Sequence, residues 1–157
     1  MRLTGKLQII EIDNAKLTKA LDEKIKIEIR QGLRAFLDAA IKKVPVLTGM
    51  ARGGYIPLAR YLGRSGVTTP GAKPKPSRNK DKGADLAEID DSELKFPDYT
   101  IKYNIDIIHF NIHDPDNWRS VAAGRKALEK YFDKNLVKQL PKLRDFTTRT
   151  TVEFGNG

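Results

Sequence analysis

Val44-Pro45-Val46-Leu47-Thr48-Gly49-Met50-Ala51-Arg52-Gly53-Gly54-Tyr55 follows a long run of helical periodicity and sets where that helix must stop. Pro45 has no amide hydrogen to donate and disfavours helical geometry at Val44, so the chain leaves the helix there. Thr48 carries a hydroxyl able to cap a new short turn. Gly49, Gly53 and Gly54 permit positive φ or close backbone approach, and Arg52 puts a fixed cation on the bend. These residues make a structural joint rather than a reaction centre. An ordinary helix-stop loop would use the same ones.

Upstream, Leu7, Ile9, Ile10 and Ile12 predict a short first strand, and Asp13-Asn14 supplies a cap for a helix over about residues 15–43. Leu17, Leu21, Ile25, Ile29, Leu33, Leu37, Ala40, Ile41 and Val44 recur at spacings of three and four, with Lys24, Lys26, Glu28, Arg30 and Arg34 on other faces. Gly32 within this helix marks a kink, a close crossing with another backbone, or a merely tolerated glycine costing up to about 1 kcal/mol relative to alanine.

Downstream, residues 56–62 are apolar enough to pack, and Pro57 leaves helical and extended conformations open. From 63 to 92, Pro70, Gly71, Pro74 and Pro76 break regular structure, and the apolar surface is too small to offset ordering entropy. This reads as a long mobile polar arm, either a linker or a contact device. Tyr99-Thr100-Ile101-Lys102-Tyr103-Asn104-Ile105 then alternates as a strand, and Ile107-Ile108-His109-Phe110-Asn111-Ile112 resumes on the opposite parity, through a bulge or a hairpin. Asp114 as cap and Pro115 at the first helical position open a second helix ending at Pro141. Its apolar stripe is Trp118, Val121, Ala122, Leu128, Tyr131, Phe132, Leu136 and Leu140. Residues 146–154 have strand propensity and form a candidate terminal strand for pairing with a neighbouring chain.

The expected fold class is α+β: two long helices packed on a small, mainly antiparallel sheet, with a long mobile loop. The 157 residues suit a single domain carrying the flexible arm. There is no cysteine, which removes disulfides and thiolate metal sites and fits assembly in a reducing cytoplasm. Residues 1–6 hold no apolar run, so no export signal is expected, and no run is long enough to cross a bilayer; no membrane partner is expected.

The net charge of +9 favours polyanions. Arg64, Lys73, Lys75, Arg78, Lys80 and Lys82 face only Asp81, and the sign then reverses through Asp85, Glu88, Asp90, Asp91 and Glu93. The second helical region is basic as well, with Arg119, Arg125, Lys126, Lys130, Lys134, Lys138, Lys142 and Arg144 opposed by Glu129 and Asp133.

The order of helix, Pro45-Val46, Thr48-Gly49, Arg52 and Tyr55 resembles the tail-completion, or neck, proteins of long-tailed bacteriophages, a family of small minor tail proteins that cap the tail tube near the head. Tyr103, His109-Phe110-Asn111 and Gly124-Arg125-Lys126-Ala127-Leu128-Glu129 fall in the order of that family's final strand and closing helix, so the resemblance spans about half the chain. Leu47 stands where relatives often carry an acid, and Gly53-Gly54 where small polar residues are common. The resemblance implies a structural virion protein, assembled in the host cytoplasm as a homo-oligomeric, hexameric ring. That ring would complete or terminate the tail and join it to the head, with a tail tube protein and a head-tail connector protein as partners and genomic DNA passing through its lumen. The expected subunit or partner contacts are Pro45, Thr48, Gly49, Arg52 and Tyr55 on the bend, and Lys73, Lys75, Arg78 and Lys80 on the arm.

The contending reading is a basic nucleic-acid-binding module built on the arm and the second helix, although Trp118, Tyr131 and Phe132 fall on the apolar stripe, where burial prevents base stacking. His109, Asn111 and His113 alternate, with Asp114 and Asp116 nearby, which supplies metal-ligand residue types without a strong zinc motif. Two hydrogen-bonded strand-end histidines and a capping aspartate account for them more simply. No nucleophile arrangement is present, and residues 49–54 lack the lysine and preceding strand of a phosphate loop. Neither a cofactor nor an enzymatic activity is expected.

Overall fold

The computed structural model of the chain describes residues 5–44, 49–67, 83–85, 87–106, 118–135, 138 and 140–154. Strand β1 (Gly5–Ile12) leads into helix α1 (Asn14–Lys43), whose first turn is capped by Asp13 accepting from the Lys16 amide at 3.0 Å. The Asp13 carboxyl is held below its usual range by that bond. At the far end Val44 is extended (φ −67°, ψ 133°), and Lys42 and Lys43 sit where the helix dipole favours cations. Two short helices follow, α2 (Met50–Gly53) and α3 (Ile56–Tyr61). Pro57 lies in the first turn of α3, where its missing amide costs nothing, so the segment is helical.

Strands β2 (Ala87–Asp90) and β3 (Lys102–Ile105) pair antiparallel, from Ala87 opposite Ile105 to Asp90 opposite Lys102, and a Leu94–Tyr99 bridge extends the hairpin. The next described element is helix α4 (Arg119–Asn135). A 3-10 turn over Leu143–Phe146 then delivers the chain to β4 (Thr147–Phe154).

One core gathers α1, α2, α3, the β2–β3 hairpin and α4. Leu33, Phe36, Leu37, Ala40 and Ile41 form the buried stripe of α1 and meet Ala51, Tyr55, Ile56, Leu58, Ala59, Leu62 and Val67. Each large aliphatic side chain enclosed this way contributes about 1.5–3 kcal/mol. Helix α4 crosses α1 antiparallel, since Phe36 meets Gly124, Gly32 meets Leu128 and Phe132, and Glu28 meets Tyr131. Gly32 is therefore neither a kink signal nor idle, and what approaches it is side chain rather than backbone: a Cβ there would come within 2.8 Å of the Phe132 ring. Glu28, placed by its spacing off the apolar stripe, is buried, accepting from Tyr131 Oη at 2.8 Å with Lys24 Nζ at 3.5 Å.

Several expectations are corrected. The strands form two separate two-stranded antiparallel sheets among the described residues, not one. The C-terminal strand pairs with β1 of its own chain along its whole length, Gly5 opposite Phe154 through Ile12 opposite Thr147, which fills one edge of the strand and leaves only the other for a neighbouring chain. The proposed arm is shorter than 63–92, because Val67 is buried and β2 lies in its last part; residues 68–82 are outside the described set. Trp118 has φ 55°, so an unbroken helix from Pro115 through Trp118 is ruled out and α4 starts at Arg119. The 107–112 strand, its bulge or hairpin, and the Asp114-Pro115 start also lie outside the described residues, as do positions 136, 137 and 139 before Pro141.

The interlock of Phe36 with Gly124 gives a test with opposed terms. Alanine gains about 1 kcal/mol over glycine in an open helix, whereas overpacking a core costs about 1–3 kcal/mol. A Cβ on Gly124 would stand 2.7 Å from the ring of buried Phe36, so overpacking wins. Gly124→Ala is expected to lower the denaturant midpoint with an unchanged m-value, and a raised midpoint would show that the ring yields.

Candidate functional site

The bend singled out in the sequence is a locked corner. Gly49 takes φ 79°, which a side chain would resist, and its carbonyl accepts from the Gly53 amide at 2.8 Å. Gly54 N–H donates to the Met50 carbonyl at 3.1 Å, and the Tyr55 carbonyl accepts from Ala59 at 3.0 Å, carrying the chain into α3. Gly83 then lies against the outside of α2. A Cβ on it would fall 2.3 Å from the Met50 carbonyl oxygen and 2.8 Å from Gly53 Cα, so only glycine allows this contact.

Tyr55 ties the corner to the rest of the chain. It is fully enclosed, its ring 6.3 Å from Phe36 of α1 and 6.2 Å from Tyr103 of β3. Phe36 and Tyr103 complete the triangle edge to face at 6.5 Å. Tyr55 Oη and Ser120 Oγ of α4 share a buried hydrogen bond of 2.7 Å, and Tyr103 Oη donates to the Gly54 carbonyl. Burial first, and the neighbouring Tyr55 second, push the Tyr103 phenol far above its ordinary range, so it stays a neutral donor.

Of the expected contact residues, Gly49, Arg52 and Tyr55 come together here; Pro45, Thr48, Lys73, Lys75, Arg78 and Lys80 lie outside the described residues. Tyr55, expected at a subunit interface, is a core residue fully enclosed within its own chain. Arg52 is half-buried, its carbonyl accepts from the Tyr55 amide at 3.2 Å, and its side chain makes no hydrogen bond among the described residues, with Nε shut from solvent without an acceptor. Gly83 and Ser120 went unrecognised as parts of the joint. Their roles depend on residues distant in sequence, and only the paired glycines gave a local signal.

Beside the corner a cleft of about 420 Å³ is lined by Phe36, Tyr103, Asn104, Ile105, Trp118 and Val121. Its walls are mostly apolar, with the Asn104 amide as a polar group. Among the described residues no three His, Asp or Glu side chains are grouped to hold a metal, and no helix is long and apolar enough to cross a membrane. His109, Asn111, His113, Asp114 and Asp116 lie outside the described residues. No family model, curated protein or solved structure matches this chain.

Titration offers a check on the packing behind the corner. Burial, reinforced by the hydrogen bond to Glu28, pushes the Tyr131 phenol from 10.0 up to about 12. Below the unfolded value both states hold the proton. Between the two values only the folded state does, so unfolding is favoured progressively as pH rises through that window. The wild type is expected to lose more stability there than Tyr131→Phe, measured by denaturant melts at matched ionic strength; parallel pH profiles would contradict the assignment.

Proposed function

We propose that this chain is a structural virion protein of the phage neck or tail end, one copy of a ring that completes or terminates the tail tube and joins it to the head connector. The observation that carries the reading is the corner. Residues 49–55 are anchored to α1, β3 and α4 by packing and hydrogen bonds, while the half-buried side chain of Arg52 has no partner among the described residues. A rigid bend presenting one unsatisfied cation suits a protein whose work is to orient a neighbour. The half-buried Arg52 would meet a carboxylate of the next subunit, the tail tube or the connector through its two terminal nitrogens, as a bidentate pair. The order of motif residues that resembles the neck proteins supplies the setting, and the family's ring gives head-to-tail contacts that close around DNA.

A second reading, a basic nucleic-acid-binding module, draws on Lys126, Lys130 and Lys134, which form an exposed row on α4 outside any ion pair among the described residues. It gains nothing from the aromatic residues. Phe132 packs on Gly32, Tyr131 donates to Glu28, and Trp118 lies against the core. DNA affinity of a monomer falling steeply with salt would favour this reading over the ring.

The neck reading is tested in phage particles. Arg52→Ala is expected to accumulate separate heads and tails while the purified subunit keeps its circular dichroism and melting transition. Normal yield of joined particles would remove Arg52 from the account, and absence of the wild-type chain from virions would end the neck reading.

A further inference from the structure

The β1–β4 ribbon stands apart from the core in its chemistry. Along β1, Leu7, Ile9, Ile10 and Ile12 are 54%, 38%, 55% and 44% exposed, and Val152 of β4 is 43% exposed. The antiparallel register divides these residues between two faces. One face carries Leu7, Val152, Ile9 and Thr150, with Glu11 as its lone charge. The other carries Ile10 and Ile12, with Arg149 opposite Ile10 and the Lys6–Glu153 ion pair near its end. Glu11 and Arg149 belong to no ion pair among the described residues. A two-stranded ribbon is marginal alone in water, and aliphatic groups exposed on both faces call for covering.

We propose that this ribbon is the joint between copies of the chain, the Leu7 face of one copy lying on the Ile10 face of the next. The inference rests on the ring reading and names the surface that builds the ring. Charge selects both the occupant and the orientation. Leu7 face on Leu7 face would offer Glu11 no base, since Glu11 is the lone charge there. Unlike faces bring aliphatic residues to aliphatic residues and an unpaired acid to an unpaired base. Such a contact is head-to-tail, the type that propagates until rotation closes a ring. Each face measures roughly 26 Å by 10 Å, so one stacked contact buries on the order of 500 Å², about a third of a standard interface. A copy inside a closed ring uses both faces, which favours the closed assembly over an isolated pair.

Sedimentation velocity on the full chain decides the matter, with wild type, Glu11→Arg, Arg149→Glu and the double variant compared over a concentration series. Both positions are exposed and on opposite faces, so neither substitution disturbs the core or can compensate the other within one copy. Each single variant is expected to weaken association at least about tenfold, and the double variant to recover it, because the reversed charges again meet across the joint. Single variants that assemble like the wild type, a double variant as weak as the two losses combined, or a wild type monomeric at every concentration would each overturn the inference. The neck reading is scored separately, by whether the chain is present in virions.

Discussion

Enclosure of Tyr55 is the constraint on which the remaining arrangement depends. Its ring completes the contact of α1 with β3 through Phe36 and Tyr103, its hydroxyl bonds Ser120 of α4, and its backbone ends one short helix and starts the next. A buried phenol without its hydrogen bond would carry a desolvation cost of about 1–3 kcal/mol, a sizeable share of the stability of a small protein. The position of α4 and the path of the corner are therefore set by the same side chain. Tyr103 adds the reciprocal tie, its phenol reaching the Gly54 carbonyl next to Tyr55.

Around that point the chain exchanges bulk for proximity. Phe36 of α1 sits on Gly124 of α4, while Phe132 and Leu128 of α4 sit on Gly32 of α1, so each helix offers a glycine where the other offers a large side chain. Close approach of this kind raises contact density without lengthening either helix. Farther along the same crossing the buried Glu28 is matched by Tyr131 and Lys24, which supply hydrogen bonding and charge where α1 would otherwise carry a stranded carboxylate. The ribbon lies at the other extreme, a pair of strands whose aliphatic side chains the chain leaves in water.

How much of this was legible in the residues depended on the range of the interaction. Local rules carried α1, its Asp13 cap and its stop at Val44, because periodicity, a side-chain acceptor and a following proline act over a few residues. Pro57 left two conformations open, since it fits a strand edge as well as a first helical turn, and packing of Ile56, Leu58 and Ala59 settled it. The strand at 147–154 was readable as a strand. Its partner was not, because alternation reports which face is apolar and says nothing about a mate more than a hundred residues away. The burial of Glu28, off the apolar stripe by spacing, was not readable because Tyr131 is 103 positions distant. At the candidate site the bend could be located from Gly49, Arg52 and Gly53-Gly54. Its locking, and hence the burial of Tyr55, required Ser120, Tyr103 and Gly83, which nothing in the motif announces.

Taken as a joint, the corner is meaningful only if it keeps its angle when a neighbour presses on it, and that is a statement about local stability. Native-state hydrogen exchange measures it directly through the amides of Gly53, Gly54 and Ala59, whose acceptors lie within the corner. The account predicts that these amides open only with global unfolding, at the same free energy as the amides around Leu37 in the buried half of α1. Exchange at the pace of an exposed loop, with α1 still protected, would contradict it.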